Sequence, residues 1–274
     1  MHLGTGLRHL ETGGSALKTA VISGGNGGLG RTLAAQLMAQ GWHCVLMDLT
    51  TEGVTLGPAC TPVQVDLTDP KALSMAAQKI IENRPSIDLV IYNAGVSHIG
   101  GFDSSDENSH RRVFEINYFA AVNMARAFLL PVRKSRGAHL AISSVAGFAP
   151  LLNRTAYAAS KHAMQGFFAS LRAEEHTHGV RCAIAAPSFV ATNIGRPDRD
   201  DNGIVRPGSA SDGLDYMTPE DAARVILSGL NRGRDFIPVG RVARLSYWIM
   251  RLSPSLYQYL MRRKISGNAT PSKP

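Results

Sequence analysis

Tyr157 and Lys161 stand four residues apart in the run Tyr157-Ala-Ala-Ser-Lys161, and Ser144 lies thirteen positions upstream. On a helix, positions i and i+4 share a face one turn apart, so a phenol and an ammonium placed there come within range of each other. A phenol ordinarily loses its proton near pH ~10, and a fixed positive charge beside it favours the phenolate. Such a pair can pass a proton to or from a reacting oxygen, and a serine hydroxyl arriving from another segment can hydrogen-bond that same oxygen. Tyr and Lys at this spacing also occur on surface helices that do no chemistry. A second motif, of independent chemistry, separates this pair from those.

That motif is Ser23-Gly-Gly-Asn-Gly-Gly-Leu-Gly30. It follows the apolar run Thr19 to Ser23, which has the character of a buried parallel strand. It opens a helical pattern from Leu29 to Gln40, with Leu33, Leu37 and Met38 on one face. Gly24, Gly28 and Gly30 allow a tight turn and let a pyrophosphate approach the backbone at the helix N-terminus; Asn26 and Leu29 belong to the same binding turn. No Gly-Lys-Ser or Gly-Lys-Thr follows, which excludes a P-loop. A second strand, Cys44 to Asp48, ends in a carboxylate 24 residues after Gly24. An acid there accepts hydrogen bonds from the ribose hydroxyls of an adenosine and repels a 2′-phosphate. Neither Gly27 nor Leu49 is basic, so NAD is favoured over NADP, and Arg31 reads as a surface or phosphate-proximal charge.

With these motifs in this order, the chain resembles the short-chain dehydrogenase/reductase family from about Lys18 to Phe236. The family's glycine turn is met by Ser23 to Gly30, with serine in place of threonine. Its Asn-Asn-Ala-Gly is met by Tyr92-Asn93-Ala94-Gly95. The resemblance implies a structural and catalytic asparagine at Asn117, a catalytic serine at Ser144, and Tyr157 and Lys161 as the remaining pair. It implies adenine contacts at Asp66 and Leu67, and cofactor contacts at Leu49, Asn93, Ala94, Gly95, Pro187, Val190 and Thr192 as well as at Tyr157 and Lys161. The family's Pro-Gly after the sixth strand is Pro187-Ser188 here, and a side chain at that point narrows the space beside the nicotinamide or offers it a hydroxyl. The implied chemistry is hydride transfer on a CH–OH group with NAD or NADP as acceptor. Tyr157 exchanges the proton, Lys161 lowers its pKa, Ser144 holds the substrate oxygen and Asn117 positions a relay water. A homodimer or homotetramer is the family's usual assembly.

At 274 residues and 44% apolar composition, the chain can bury one α/β core. Strand-like and helix-like segments alternate to about residue 190, which predicts a doubly wound parallel sheet, a Rossmann fold in a single domain. Residues 1–16 read as a disordered extension without the apolar core of a signal peptide. Residues 17–236 form the catalytic unit, residues 193–217 a lid loop over the substrate, and residues 237–274 a C-terminal amphipathic extension and tail. Three cysteines without paired spacing point to a reducing, cytoplasmic compartment, and the nine histidines show no ligand spacing for a metal.

The formal charge is +8, and between Arg232 and Lys264 eight basic residues face Asp235 alone. Charge so concentrated, with no recognition motif, argues against nucleic acid as a partner. The same stretch holds Leu245, Trp248, Ile249, Leu252, Leu256, Tyr259 and Leu260. Arg251 and Pro254 make it too short to span a bilayer. Residues 241–264 therefore read either as a peripheral membrane contact or as a cover over the substrate pocket or a subunit contact. His98, Phe148, Ser188 and Phe189 are the pocket candidates, with Ile99, Phe102, Ala146 and Leu151 near them. The pocket they define suits a hydrophobic secondary alcohol or ketone. The competing readings are an NADPH-preferring carbonyl reductase and a non-catalytic NAD(H)-binding scaffold.

Overall fold

The structure, a computed structural model, describes residues 17–55, 57–192, 204–205 and 216–268. The expected N-terminal extension lies outside these, as does the expected lid apart from 204–205 and 216–217.

The chain opens with β1 (Thr19–Ser23), α1 (Gly28–Met38), β2 (His43–Asp48), β3 (Cys60–Gln64), α2 (Pro70–Asn83) and β4 (Leu89–Tyr92). There follow a two-residue strand β5 (Ser97–His98), α3 (Glu107–Phe114), α4 (Ala120–Ser135), β6 (Ala138–Ile142), α5 (Thr155–Glu175) and β7 (Arg181–Pro187). A second short strand, β8 (Ile204–Val205), then precedes α6 (Pro219–Asn231), β9 (Phe236–Val239), α7 (Arg241–Leu252) and α8 (Pro254–Asn268). Seven strands form one parallel sheet in the order β3-β2-β1-β4-β6-β7-β9. The order reverses between β1 and β4, the switch point beside which open α/β sheets bind ligands. The two short strands pair separately and antiparallel.

The central strands are buried along their whole length, as expected of a sheet covered on both faces. Alternate residues serve opposite layers. Val21 packs with Phe128, Met164 and Phe168 from α4 and α5, whereas Ala20 and Ile22 pack with Leu33, Leu37, Ile226 and Leu230 from α1 and α6. The edge strands β3 and β9 carry Pro62 and Pro238, residues that blunt an edge against further pairing. The sheet ends at Val239, three residues past the boundary that the sequence suggests.

The helical stretch Glu107–Ser135 is long and apolar enough to cross a membrane. Its Val113, Ala120, Met124, Ala125, Phe128 and Val132 are buried in the core, so one face of it packs on the sheet, while Phe119 and Leu130 are exposed on the other. Where α3 meets α4, Glu115–Phe119 forms one wide π turn, a feature that re-aims side chains and is frequent at functional sites.

An ion pair clamps α4 to α5. The Arg133 guanidinium donates from Nε and Nη2 to Glu175, at 3.0 and 2.6 Å. The Glu175 side chain is fully buried while that of Arg133 is 29% exposed, so the two partners are not equivalent. Arg133→Met strands a buried carboxylate and is expected to cost about 3 kcal/mol or more. Glu175→Leu leaves an arginine that can turn to water and is expected to cost about 1 kcal/mol. The double variant Arg133→Met/Glu175→Leu should return close to the parent, since an apolar pair replaces an ion pair. Chemical denaturation of the four proteins checks this cycle; equal costs for the two single variants would contradict it.

Candidate active site

The loops that leave β1 and β4 are stitched together across the switch point. The Ser23 hydroxyl accepts from the backbone N–H of Asn93 at 3.0 Å and of Ala94 at 3.2 Å, and donates to the Ile91 carbonyl at 3.3 Å. The Asn93 side chain returns a hydrogen bond to the Gly24 carbonyl at 2.9 Å. Gly24 adopts φ +60°, and a Cβ there would come within 2.8 Å of Ala94 Cα. A Cβ on Gly30 would come within 2.3 Å of the Gly24 carbonyl oxygen. The glycine turn is therefore dictated by close backbone approach, the condition that brings N–H groups to a pyrophosphate.

At the end of β2, the Asp48 carboxylate accepts from the backbone N–H of Asn26 at 2.9 Å and of Leu49 at 2.8 Å. Asn26 in turn donates through Nδ2 to the carbonyls of Thr50 and Glu52. Arg31, read from the sequence as surface or phosphate-proximal, is held among those groups. It donates to the Asn26 carbonyl and side-chain oxygens and to the carbonyls of Glu52 and Gly53. It acts as a strut for the loop beyond Asp48.

Asn117 is fully buried in the π turn. Its Oδ1 accepts from Val96 N at 2.8 Å, and its Nδ2 donates to Val96 O and to Ser160 Oγ, both at 2.9 Å. Ser160 Oγ donates to the Tyr157 carbonyl at 2.8 Å. The asparagine thereby ties the loop after β4 to the helix that carries Tyr157 and Lys161.

Lys161 Nζ is buried, donates to the Ile142 carbonyl at 2.9 Å, and sits 5.8 Å from the centre of the Tyr157 ring. Burial lowers its pKa to about 8. Tyr157 is shifted the other way: burial raises its pKa, opposed by a hydrogen bond with the Ser144 side chain and by the charge of Arg154. Desolvation is the larger effect on the phenol of the free protein, and Ser144 and Arg154 supply the opposing pull. Ser144 Oγ also accepts from Ala146 N at 3.2 Å, which fixes the hydroxyl.

These groups surround one cavity of about 1550 Å³, larger than the roughly 300–1,000 Å³ typical of a single small-molecule site. Gly24, Asn26, Gly28 and Leu29 line it at the first turn, Asp48, Leu49, Asp66 and Leu67 at the ends of the next strands. Asn93, Ala94 and Gly95 follow, then Ser144, Tyr157 and Lys161, then Pro187, Val190 and Thr192. Gly30 and Asn117 stand behind this wall and brace it. A Cβ on Gly28 would meet Thr192 at 3.1 Å, so the two sides of the cleft close on each other there. Close-approach glycines, an acid at the end of β2 and a cleft of this volume fit a nicotinamide dinucleotide.

The pocket candidates divide. Ser188, Phe189, Ile99 and Leu151 line the cavity. His98 does not: it is buried in β5, opposite Ile204, with its ring 6.4 Å from that of His110. Strand alternation turns its neighbours Ser97 and Ile99 to the cavity instead. Phe148 packs edge-on to Phe236 and Tyr247, Phe102 is 72% exposed, and Ala146 is fully buried. None of these three lines the cavity. The Ser188 hydroxyl turns to the Val239 carbonyl at 3.3 Å. Its volume is taken up opposite, where a Cβ on Gly240 would lie 2.6 Å from Ser188 Oγ. Of the readings open for residues 241–264, the pocket cover is the one seen here: Leu245, Ser246, Ile249, Tyr257, Leu260 and Met261 from α7 and α8 line the cavity. Arg111, Arg112, Leu152 and Arg154 line it too, and no sequence motif singled them out. Among the described residues no group of three His, Cys, Asp or Glu is placed to hold a metal ion.

Residues 18–203 match the family model described as short chain dehydrogenase. The chain is 34% identical over 264 residues to dehydrogenase/reductase SDR family member 7B of Bos taurus, covering 88% of this chain and 79% of that protein. It is 29% identical over 269 residues to a dehydrogenase/reductase SDR family protein 7-like of Anopheles gambiae, covering 90% and 83%. A solved short chain dehydrogenase from Burkholderia cenocepacia, in complex with NADP, is similar with a TM-score of 0.79 and 23% identity, over 90% of this chain and 98% of that one. A short chain dehydrogenase/reductase from Burkholderia phymatum, in complex with NAD, has a TM-score of 0.74 and 23% identity, over 94% and 98%. Both structures share the fold.

The buried lysine makes a prediction for the protein alone. Lys161 titrates at about 8 when folded, against an ordinary value of 10.5. Between those values the unfolded chain holds more protons, so stability rises with pH. Relative to Lys161→Met, the parent should gain up to ~3 kcal/mol as pH climbs through that window. Thermal melts of both proteins from pH 7 to 11 check it, and parallel curves would contradict it.

Proposed function

The chain belongs to the short chain dehydrogenase family, and from that premise we propose that it transfers hydride between a nicotinamide dinucleotide and a bulky hydrophobic secondary alcohol or ketone. The observation that carries this reading is the convergence of Ser144, Tyr157 and Lys161 on one cavity whose outer wall is Leu151, Leu152, Leu245, Ile249 and Leu260. A polar catalytic end and a mostly apolar outer wall, beside which Arg111, Arg112 and Arg154 also line the cavity, suit a substrate with one oxygen function and a large hydrocarbon body.

The cofactor, when bound, supplies the hydride acceptor or donor and, when oxidised, a positive charge. Tyr157 exchanges the proton of the substrate oxygen. Burial holds the phenol in its neutral form in the free protein, so a positive charge brought beside it is what makes phenolate accessible. Ser144 holds the oxygen with the hydroxyl that now bonds Tyr157. Lys161, tied to the Ile142 carbonyl, places its ammonium below the ring and beside the Gly95 backbone, where a Cβ would lie 3.4 Å from Nζ. Asn117 acts as a positioning residue. All three of its side-chain hydrogen bonds go to Val96 and Ser160, and from this frame it positions the relay water.

Asp48 supports NAD as the preferred cofactor, since an acid closing the second strand accepts from ribose hydroxyls and opposes a 2′-phosphate. NADP is the second candidate. Three free cysteines suit a cytoplasmic setting, and assembly as a homodimer or homotetramer completes the proposal.

Reduction of NAD by the purified protein over secondary alcohols of increasing size, with NADP in parallel, tests this. Turnover should favour bulky apolar alcohols and NAD. Tyr157→Phe should lower kcat by about 10²–10⁴-fold, the scale of one general acid–base group, while NADH binding stays within a few-fold. Full activity in that variant would overturn the assignment of Tyr157. Silence of the parent towards every alcohol, despite NADH binding, would overturn the oxidoreductase reading.

A further inference from the structure

The two C-terminal helices carry an unusual face. On α7 the exposed residues are Arg241, Arg244, Leu245, Trp248, Arg251 and Leu252, spaced so that all six fall on one side of the helix. That outward side should be polar on a water-facing helix, yet Leu245, Trp248 and Leu252 are 64%, 60% and 81% exposed. The opposite side of α7 is committed inward: Ala243 and Ser246 are buried, and Met250 packs on the cluster of Val145, Ala149 and Tyr257. α8 is exposed over most of its circumference, with Tyr257 buried among its described side chains, and Leu256, Tyr259, Leu260 and Arg263 lie together on one side of it.

The charge on this face has one sign. No Asp or Glu occurs from Phe236 to the C-terminus. The arginines flank the apolar residues, Arg251 lying over the Tyr247 ring at 4.9 Å and Arg244 reaching back to the Gly240 carbonyl. Acids occur beyond the two helices: Asp48, Asp66 and Glu115 line the cavity, and Glu107 pairs with Arg111, which lines it too. Arginine beside exposed leucine, tryptophan and tyrosine, without counter-charge, complements a surface that offers anionic groups over hydrocarbon. The two stripes meet at the cavity, because Leu245 of α7 and Leu260 of α8 are exposed and also line it.

We propose that α7 and α8 form a docking face for an anionic lipid bilayer, with the mouth of the active-site cavity set at that face. Trp248, Leu252, Leu256 and Tyr259 enter the headgroup region, while Arg241, Arg244, Arg251 and Arg263 meet lipid phosphates. An apolar substrate dissolved in the bilayer then reaches the cavity past Leu245 and Leu260 without crossing water. Only this last step rests on the oxidoreductase reading; the docking does not.

Co-sedimentation of the full chain with vesicles of phosphatidylglycerol and phosphatidylcholine, against phosphatidylcholine alone, tests the docking. The expected result is binding to the anionic vesicles, weakened by salt, with partition lowered by about tenfold or more in Trp248→Glu/Leu252→Glu. Neither substituted residue lines the cavity, so NADH binding should be unchanged, which shows that the variant is folded. In a Trp42→Phe background, emission from Trp248 should shift to the blue on adding anionic vesicles. Equal partition of the parent and the double variant, or no partition and no shift, overturns the proposal. So does a parent dimer that the double variant converts to monomer without any vesicle binding, since the face is then a subunit contact. If docking holds, a long-chain alcohol presented in anionic vesicles should be oxidised faster by the parent than by the double variant, with equal rates on a short water-soluble alcohol. Docking with no turnover of either alcohol would sink the oxidoreductase reading and leave the membrane face standing.

Discussion

Everything at this site hangs from the junction of β1 and β4. Two parallel strands that part company at the switch point leave a gap between their C-terminal ends, and the Ser23 hydroxyl closes it by accepting from two successive N–H groups of the other loop. One oxygen thereby fixes the Gly24 carbonyl relative to Asn93 and places Gly95 in front of the Asn117 and Lys161 side chains. Asn117 continues the chain of constraint to Ser160, and Ser160 to the Tyr157 carbonyl. The cofactor turn, the asparagine and the catalytic helix are in this way one hydrogen-bonded body, and buried networks that are fully satisfied act as rigid ones.

That rigidity serves an electrostatic purpose. Tyr157 and Lys161 are both dehydrated, and dehydration drives each towards its neutral form, the phenol upward and the ammonium down to about 8. A pair left in water would differ by little from free tyrosine and lysine and would respond weakly to a new charge. In a dry site the same charge acts through a low effective dielectric. The buried phenol is therefore held neutral, in surroundings where a charge brought beside it acts strongly.

The features legible in the sequence were those written at short range. The i, i+4 spacing of Tyr157 and Lys161, the glycine turn between a strand and a helix, and the acid closing β2 each follow from local geometry. So does the alternation that predicts a doubly wound sheet. What the sequence withheld was set by distant contacts. His98 looked like a pocket residue because it follows Gly95 closely, but strand pairing with Ile204 buries it beside His110. Phe148 sits near Ser144 in sequence, and aromatic packing with Phe236 and Tyr247 draws it off. The substitution of glycine by Ser188 seemed to crowd the cofactor; its counterpart, Gly240, lies 52 residues on, beyond any local rule. Arg31 likewise gained its role only when the loop after Asp48 folded over it.

The C-terminal helices are coupled to this body more closely than an appended tail would be. Gly240, where α7 begins, abuts the Ser188 hydroxyl, and Ser188 N–H donates to the Val239 carbonyl at 3.1 Å. Ala243 of α7 and Tyr257 of α8 pack against Val145 and Ala149, which flank the turn that opens on Ser144. This third, small core is separate from the two that cover the sheet, and it joins the outward apolar stripes to the loop bearing the serine. That helix pair buries Ala243, Ser246 and Tyr257 while Leu245, Trp248 and Leu252 stay outside. Through Val145 and Ala149, that pair is packed against the turn that carries Ser144, while Leu245 and Leu260 place it on the cavity wall.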